Sequence, residues 1–182
     1  LYAAAKVVGP VAAGRRGGRP AVGFDLRAVG PRAVALGVMG LKDDAELLAR
    51  LPEVEALLDR AIEIDEAWEA GALHELKVVL AGATPGVPDV PLIRKHYERA
   101  VELSRGRSAS VHLAYAEAVS VPLQNAAEFR ELVQRALDVN PEETPEHRLV
   151  NLVAHRRARW LAARADQLIV TDESPPSEKT AR

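Results

Sequence analysis

Apolar and amphipathic side chains recur along this chain at i, i+3, i+4, i+7 and i+8 in three separate places. They are Val54, Leu57, Leu58, Ala61 and Ile62; Ile93, His96, Tyr97, Ala100 and Val101; and Phe129, Leu132, Val133, Ala136 and Leu137. That spacing puts each set on one side of a helix and predicts three helices burying the same stripe. Each stripe runs into a related hexapeptide: Arg60-Ala61-Ile62-Glu63-Ile64-Asp65, Arg99-Ala100-Val101-Glu102-Leu103-Ser104 and Arg135-Ala136-Leu137-Asp138-Val139-Asn140. Alanine at the shared position (Ala61, Ala100, Ala136) suits a crossing where two helix backbones approach closely.

The hexapeptides begin at residues 60, 99 and 135, so the period is 39 and then 36 residues. This is helical-hairpin spacing, a little longer than the tetratricopeptide repeat of about 34 residues. A unit this small cannot bury its apolar face alone, so neighbours must stack. Starts are marked by Pro52, by Pro91 and by Asn125 with Glu128 three residues on; stops are marked by Gly106 and by Asn140-Pro141. Partner helices are predicted from about Trp68 to Leu80 and from about Ala109 to Val119. A longer one follows over about 146 to 169, with Leu149, Leu152, Val153, Trp160, Leu161 and Leu168 on one side and Arg156, Arg159 and Asp166 on the other. Ala33 to Leu41 reads as the partner of the first repeated helix. The fold expected is all-α, a tetratricopeptide-like helical-hairpin solenoid of about three helix pairs plus a C-terminal capping helix, over residues 31–170. Gly9-Pro10, Gly14, Gly17-Gly18 and Arg19-Pro20 predict an irregular, truncated segment over 1–30, and the polar, proline-bearing residues 171–182 a disordered tail.

Charge and composition narrow the functional classes. A net charge of −2 with acids and bases interleaved along the helices gives no nucleic-acid footprint. No apolar stretch approaches the roughly 18 residues needed to cross a bilayer. With no cysteine there is no thiol nucleophile, disulfide or thiolate metal site. His74-Glu75 opens like a zinc-protease helix, but Val78 stands where the second histidine would be. His147, Asn151 and His155 can share a helix face but bring no carboxylate at matching spacing, and no serine lies in a Gly-x-Ser-x-Gly elbow. No catalytic residue, metal site or cofactor is therefore expected. What remains is a set of polar and aromatic residues on the partner helices: Trp68, His74, Glu75, His112, Tyr115, Glu117, Asn151 and His155. In tetratricopeptide-type stacks the first helix of each pair lines the concave face, so these are candidate ligand- or partner-binding residues. The ordinary reading beside it is core packing, strongest for Trp68 and Tyr115; packing explains Glu75, Glu117 and Asn151 less easily.

The run from Leu41-Lys42-Asp43-Asp44 to Leu51-Pro52 and that from Arg60 to Glu75 resemble the TatT component of TRAP (tripartite ATP-independent periplasmic) transporters. So do His96-Tyr97-Glu98-Arg99-Ala100, Tyr115-Ala116-Glu117, Phe129 to Leu137, Arg148-Leu149-Val150-Asn151 and Arg157-Ala158-Arg159-Trp160-Leu161, in the same order across about residues 36 to 169. The resemblance implies a non-enzymatic periplasmic accessory protein, lipid-anchored in its full-length form. It implies association with the transporter's solute-binding protein, a homo-oligomer, and a small, partly apolar ligand as a further expected occupant. The anchor cysteine is absent from this chain, and Ala35-Leu36-Gly37-Val38-Met39-Gly40 replaces the family's aromatic-rich stretch. Without the resemblance, the same repeats would serve a generic cytoplasmic scaffold gripping peptide tails, for which Lys77 and Asn151 are the available donors.

Overall fold

The computed structural model describes residues 51–170. The expectations for 1–30, for Ala33 to Leu41 and for 171–182 lie outside the described residues. Among the described residues there are helices and no strands. The three repeated stripes form α1 (Leu51–Ile64), α3 (Val90–Ser104) and α5 (Ala126–Asp138), and the partners are α2 (Ala72–Ala83), α4 (Ala109–Tyr115) and α6 (Arg148–Ala162), with a short α7 (Ala165–Leu168). From α1 to α6 each helix packs on the next in sequence, and α4 also touches both α2 and α6. Among the described residues the partner helices α2, α4 and α6 form a contacting row, and the repeated helices that pack against it are called the repeated layer below.

The repeated layer follows closely from the sequence, except that Leu57 of the expected stripe on α1 is 44% exposed. Ala61, Ala100 and Ala136 are all buried, the last two completely. The Asn125 side chain accepts from the Glu128 N–H at 3.2 Å to start α5, and Pro91 sits in the first turn of α3, where Asp89 accepts from the Leu92 N–H. At the end of α3 the left-handed position is taken first by Arg105 (φ 54°), with Gly106 following at φ 69°. Asn140 does not end α5 directly; it caps a 3-10 turn, Pro141–Glu143, that begins after the chain has left the helix at Val139.

The partner layer departs from expectation in three places. The predicted helix from Trp68 is broken: Trp68–Ala70 is a 3-10 turn, Glu69, Ala70 and Gly71 all have positive φ, and α2 starts only at Ala72. Gly71 permits this because a Cβ there would lie 2.9 Å from that of Leu103 and 3.2 Å from the Ala100 backbone. The second partner helix is α-helical only to Tyr115 and continues as a π turn, Ala116–Ser120. The third buries a different stripe from the one its large apolar residues suggest: Asn151, Ala154, His155, Ala158 and Leu161 face inward, while Leu149, Val153 and Trp160 are 65%, 61% and 40% exposed. Small side chains let α6 approach α4 closely, and Asn151 makes bonds that fix its rotation, so backbone proximity outweighs bulk hydropathy there.

Candidate functional site

The face shared by α2, α4 with its π turn, and α6 contains a groove of about 530 Å³. Its floor is made of small residues. Gly82, Ala83, Ala114, Ala118 and Ala154 leave the space, and a Cβ on Gly82 would lie 2.6 Å from that of Ala118. Val79, Leu113, Val150 and Val153 supply apolar wall. The polar groups are few: Glu75 from α2, Ser110 from α4, Glu117 from the π turn and Arg157 from α6. A largely apolar concavity with a few convergent polar groups is the usual form of a small-molecule site.

Two of those polar groups satisfy each other. Arg157 donates from Nε and Nη2 to the two Glu117 oxygens at 2.9 and 3.2 Å, and its guanidinium also lies over the Trp160 ring at 4.5 Å. Placing Glu117 in the π turn shifts its register by one residue relative to a continuous α-helix, and π segments occur often at functional sites. Glu75 is different. Burial pushes its carboxyl above the ordinary range, against the hydrogen bonds of the Ser110 and Ser108 hydroxyls, and no basic group contributes. The two serine hydroxyls are themselves 3.1 Å apart.

Of the eight residues singled out from the sequence, only Glu75 and Glu117 line this groove. His74 is buried between Glu66 and His96, with Nε2 3.1 Å from Glu66 Oε1 and Nδ1 2.8 Å from His96 Nδ1. Glu66 in turn accepts two bonds from Arg99, at 2.9 and 2.6 Å, which hold its carboxyl down at about 2. His112 faces the Tyr97 hydroxyl at 2.9 Å, and Tyr115 packs on the Tyr97 ring with centroids 4.6 Å apart. Burial holds both His96 and His112 down at about 4. Asn151 is a staple: its Oδ1 accepts from the Ala109 N–H and its Nδ2 donates to the Arg107 carbonyl, both at 3.0 Å. It thereby supplies from α6 the cap that Ser108 does not give the start of α4. His155 is buried beneath α6 and Trp68 is half-buried in its 3-10 turn. These six are part of the fold, not of the groove.

Reasoning from sequence missed Ser110 and Arg157. The i,i+4 spacing of Val153 and Arg157 carried the signal, but it was masked by assigning Val153 to the buried side of the helix. Lys77 also lies elsewhere, bonded to Asp59 at 2.5 Å and to the Glu55 carbonyl of α1. Among the described residues no three His, Asp or Glu side chains converge as metal ligands, and no helix is long and apolar enough to cross a membrane.

The sequence pattern of the family described as TAtT, TRAP transporter T-component, matches residues 33–169, embracing every helix described above. This chain belongs to that family. An uncharacterized protein of Treponema pallidum (strain Nichols) is 29% identical over 109 residues, which are 59% of this chain and 34% of that protein. The chain thus spans about a third of the length of that curated relative. The family is that of the T-component of TRAP transporters. The groove of this T-component is built from the partner helices, within the matched residues.

Proposed function

We propose that this T-component acts without catalysis in the periplasm, docking the solute-binding subunit of its TRAP transporter on the α2–α4–α6 face and receiving a small, partly apolar ligand in the groove there. The helix pairs are read as a tetratricopeptide-like stack, with α2, α4 and α6 as the inner helices. The observation that carries the reading is the groove itself: small residues from three successive partner helices keep open a space that the sequence could have closed with larger side chains. The position of Lys77 and Asn151, one tied to α1 and the other consumed as a staple, leaves the peptide-clamping scaffold without its donors.

The test is crosslinking of the full chain in its native cell envelope, with the captured proteins identified by mass spectrometry. Capture of a TRAP solute-binding protein is expected. Ala114 is partly buried and lines the groove, so Ala114→Phe should fill it and weaken that capture at least ~5-fold while the fold remains. Capture of cytoplasmic proteins alone, or capture unaffected by a groove filled in this way, would overturn the proposal.

A further inference from the structure

The groove's charges do not balance. Arg157, the one base among its lining residues, is neutralised through two hydrogen bonds by Glu117, which leaves Glu75 as a carboxyl with no opposite charge. Beside it in the groove wall stands Ser110, whose hydroxyl is 3.1 Å from that of Ser108; hydroxyls can stabilise a carboxylate by donating to it but carry no charge. Holding a partly buried acid against Val79, Leu113 and the alanines of the floor is costly unless a partner arrives. A leucine or glutamine at position 75 would avoid the cost if the residue only filled space.

Resting on the groove reading above, we infer that the ligand is a cationic amphiphile, a molecule whose protonated amine seats on Glu75 beside Ser108 and Ser110 and whose hydrocarbon body lies along Val79, Leu113, Val150 and Val153. The ammonium supplies the missing countercharge, and the serine hydroxyls hold the carboxylate oxygens in place. Its remaining N–H groups point to the serine oxygens or to solvent at the groove mouth. An anionic amphiphile meets the opposite field: Glu75 repels its head group, and Arg157 is already engaged. The upward displacement of the Glu75 pKa agrees with this, since it reports a carboxyl held in an apolar site without a cation.

Three probes of matched chain length separate charge from apolar burial: n-octylamine, n-octanol and n-octanoate, titrated calorimetrically into the full chain near neutral pH. Octylamine is expected to bind at least ~10-fold more tightly than octanoate, with octanol between them. Glu75→Gln keeps the shape and both serine contacts while removing the charge, so it should cost octylamine at least ~10-fold and octanol no more than ~3-fold. Ala114→Phe, which leaves Glu75 in place, should abolish binding of all three and confirms that the groove is the site. If octanoate or octanol binds as tightly as octylamine, or if Glu75→Gln leaves octylamine binding unchanged, the cation inference falls while the groove remains a ligand site. If none of the three binds, both the inference and the small-ligand part of the groove reading fall, and capture of the solute-binding subunit stands or falls on its own measurement.

Discussion

The two layers of this protein are built to different rules. In the repeated layer, α1, α3 and α5 place a buried alanine at the same position and use side-chain caps at Asp89 and Asn125 that the local sequence provides. In the partner layer, α2 follows three consecutive positive-φ residues, α4 gives way to a π turn, and α6 starts from two successive 3-10 turns. The regular layer draws its caps from its own local sequence. The irregular one depends on contacts from distant parts of the chain, and it is the layer that holds the groove.

Asn151 offers the most severe way to break this contrast. Asn151→Ala removes the acceptor for the Ala109 N–H and the donor for the Arg107 carbonyl together, leaving polar backbone groups at the buried start of α4 with no partner. A loss of about 3 kcal/mol is expected, read by denaturant unfolding. Asn125→Ala removes a cap from the regular layer and should cost only about 1 kcal/mol. Equal losses at the two sites would mean that the layers do not differ in the way described.

Acid titration comes next in size. His96 and His112 are both held down at about 4 against an ordinary value of 6.5, and burial lowers His74 as well, so all three favour the neutral form in the folded state. The unfolded chain takes up these protons more readily. Stability from these groups is therefore fully present above pH 6.5 and is lost as pH falls from there towards 4. Buried His112 alone should contribute on the order of 2 kcal/mol over that window. His74 and His96 add to the effect because their Nδ1 atoms lie 2.8 Å apart and two imidazoliums there would repel. Glu66, held down at about 2, acts lower, losing its contribution below the ordinary carboxylate range. His112→Phe should flatten the melting temperature between pH 6.5 and 4; an unchanged slope would show that His112 does not titrate differently in the two states.

The contrast between layers also explains what could be read from the sequence. The stripe around Ala61, Ala100 and Ala136 was legible because each helix encodes its own face in a 3.6-residue period. The break at Gly71 was not, because what forbids a side chain there is the backbone of Ala100 and the side chain of Leu103, about thirty residues away. Nor was the rotation of α6, which is set by Asn151 reaching two backbone groups of another segment. Glu75, Glu117 and Asn151 stood out as polar residues that packing explains less easily, and of the three Asn151 turned out to be satisfied inside the fold. Polarity on an inner helix identifies residues that need a partner; only the tertiary structure tells whether the protein already supplies one.

The Glu117–Arg157 pair gives the smallest effect on stability and the sharpest on the groove. Both side chains are about a third exposed, so solvent screens the pair, and Glu117→Gln should cost no more than about 1 kcal/mol. Its consequence for binding is larger because it releases the Arg157 guanidinium from its partner and adds one positive charge to the groove wall. The charge balance moves from one uncompensated acid to an acid and a free base. Octylamine should then bind more weakly than in the parent chain and octanoate more tightly, reversing or closing the gap between them, while octanol changes little. Calorimetric titration of the same three probes reads this directly. Parallel losses for all three probes would mean that Glu117→Gln reshapes the π turn, and that the pair holds the wall in position rather than setting its charge.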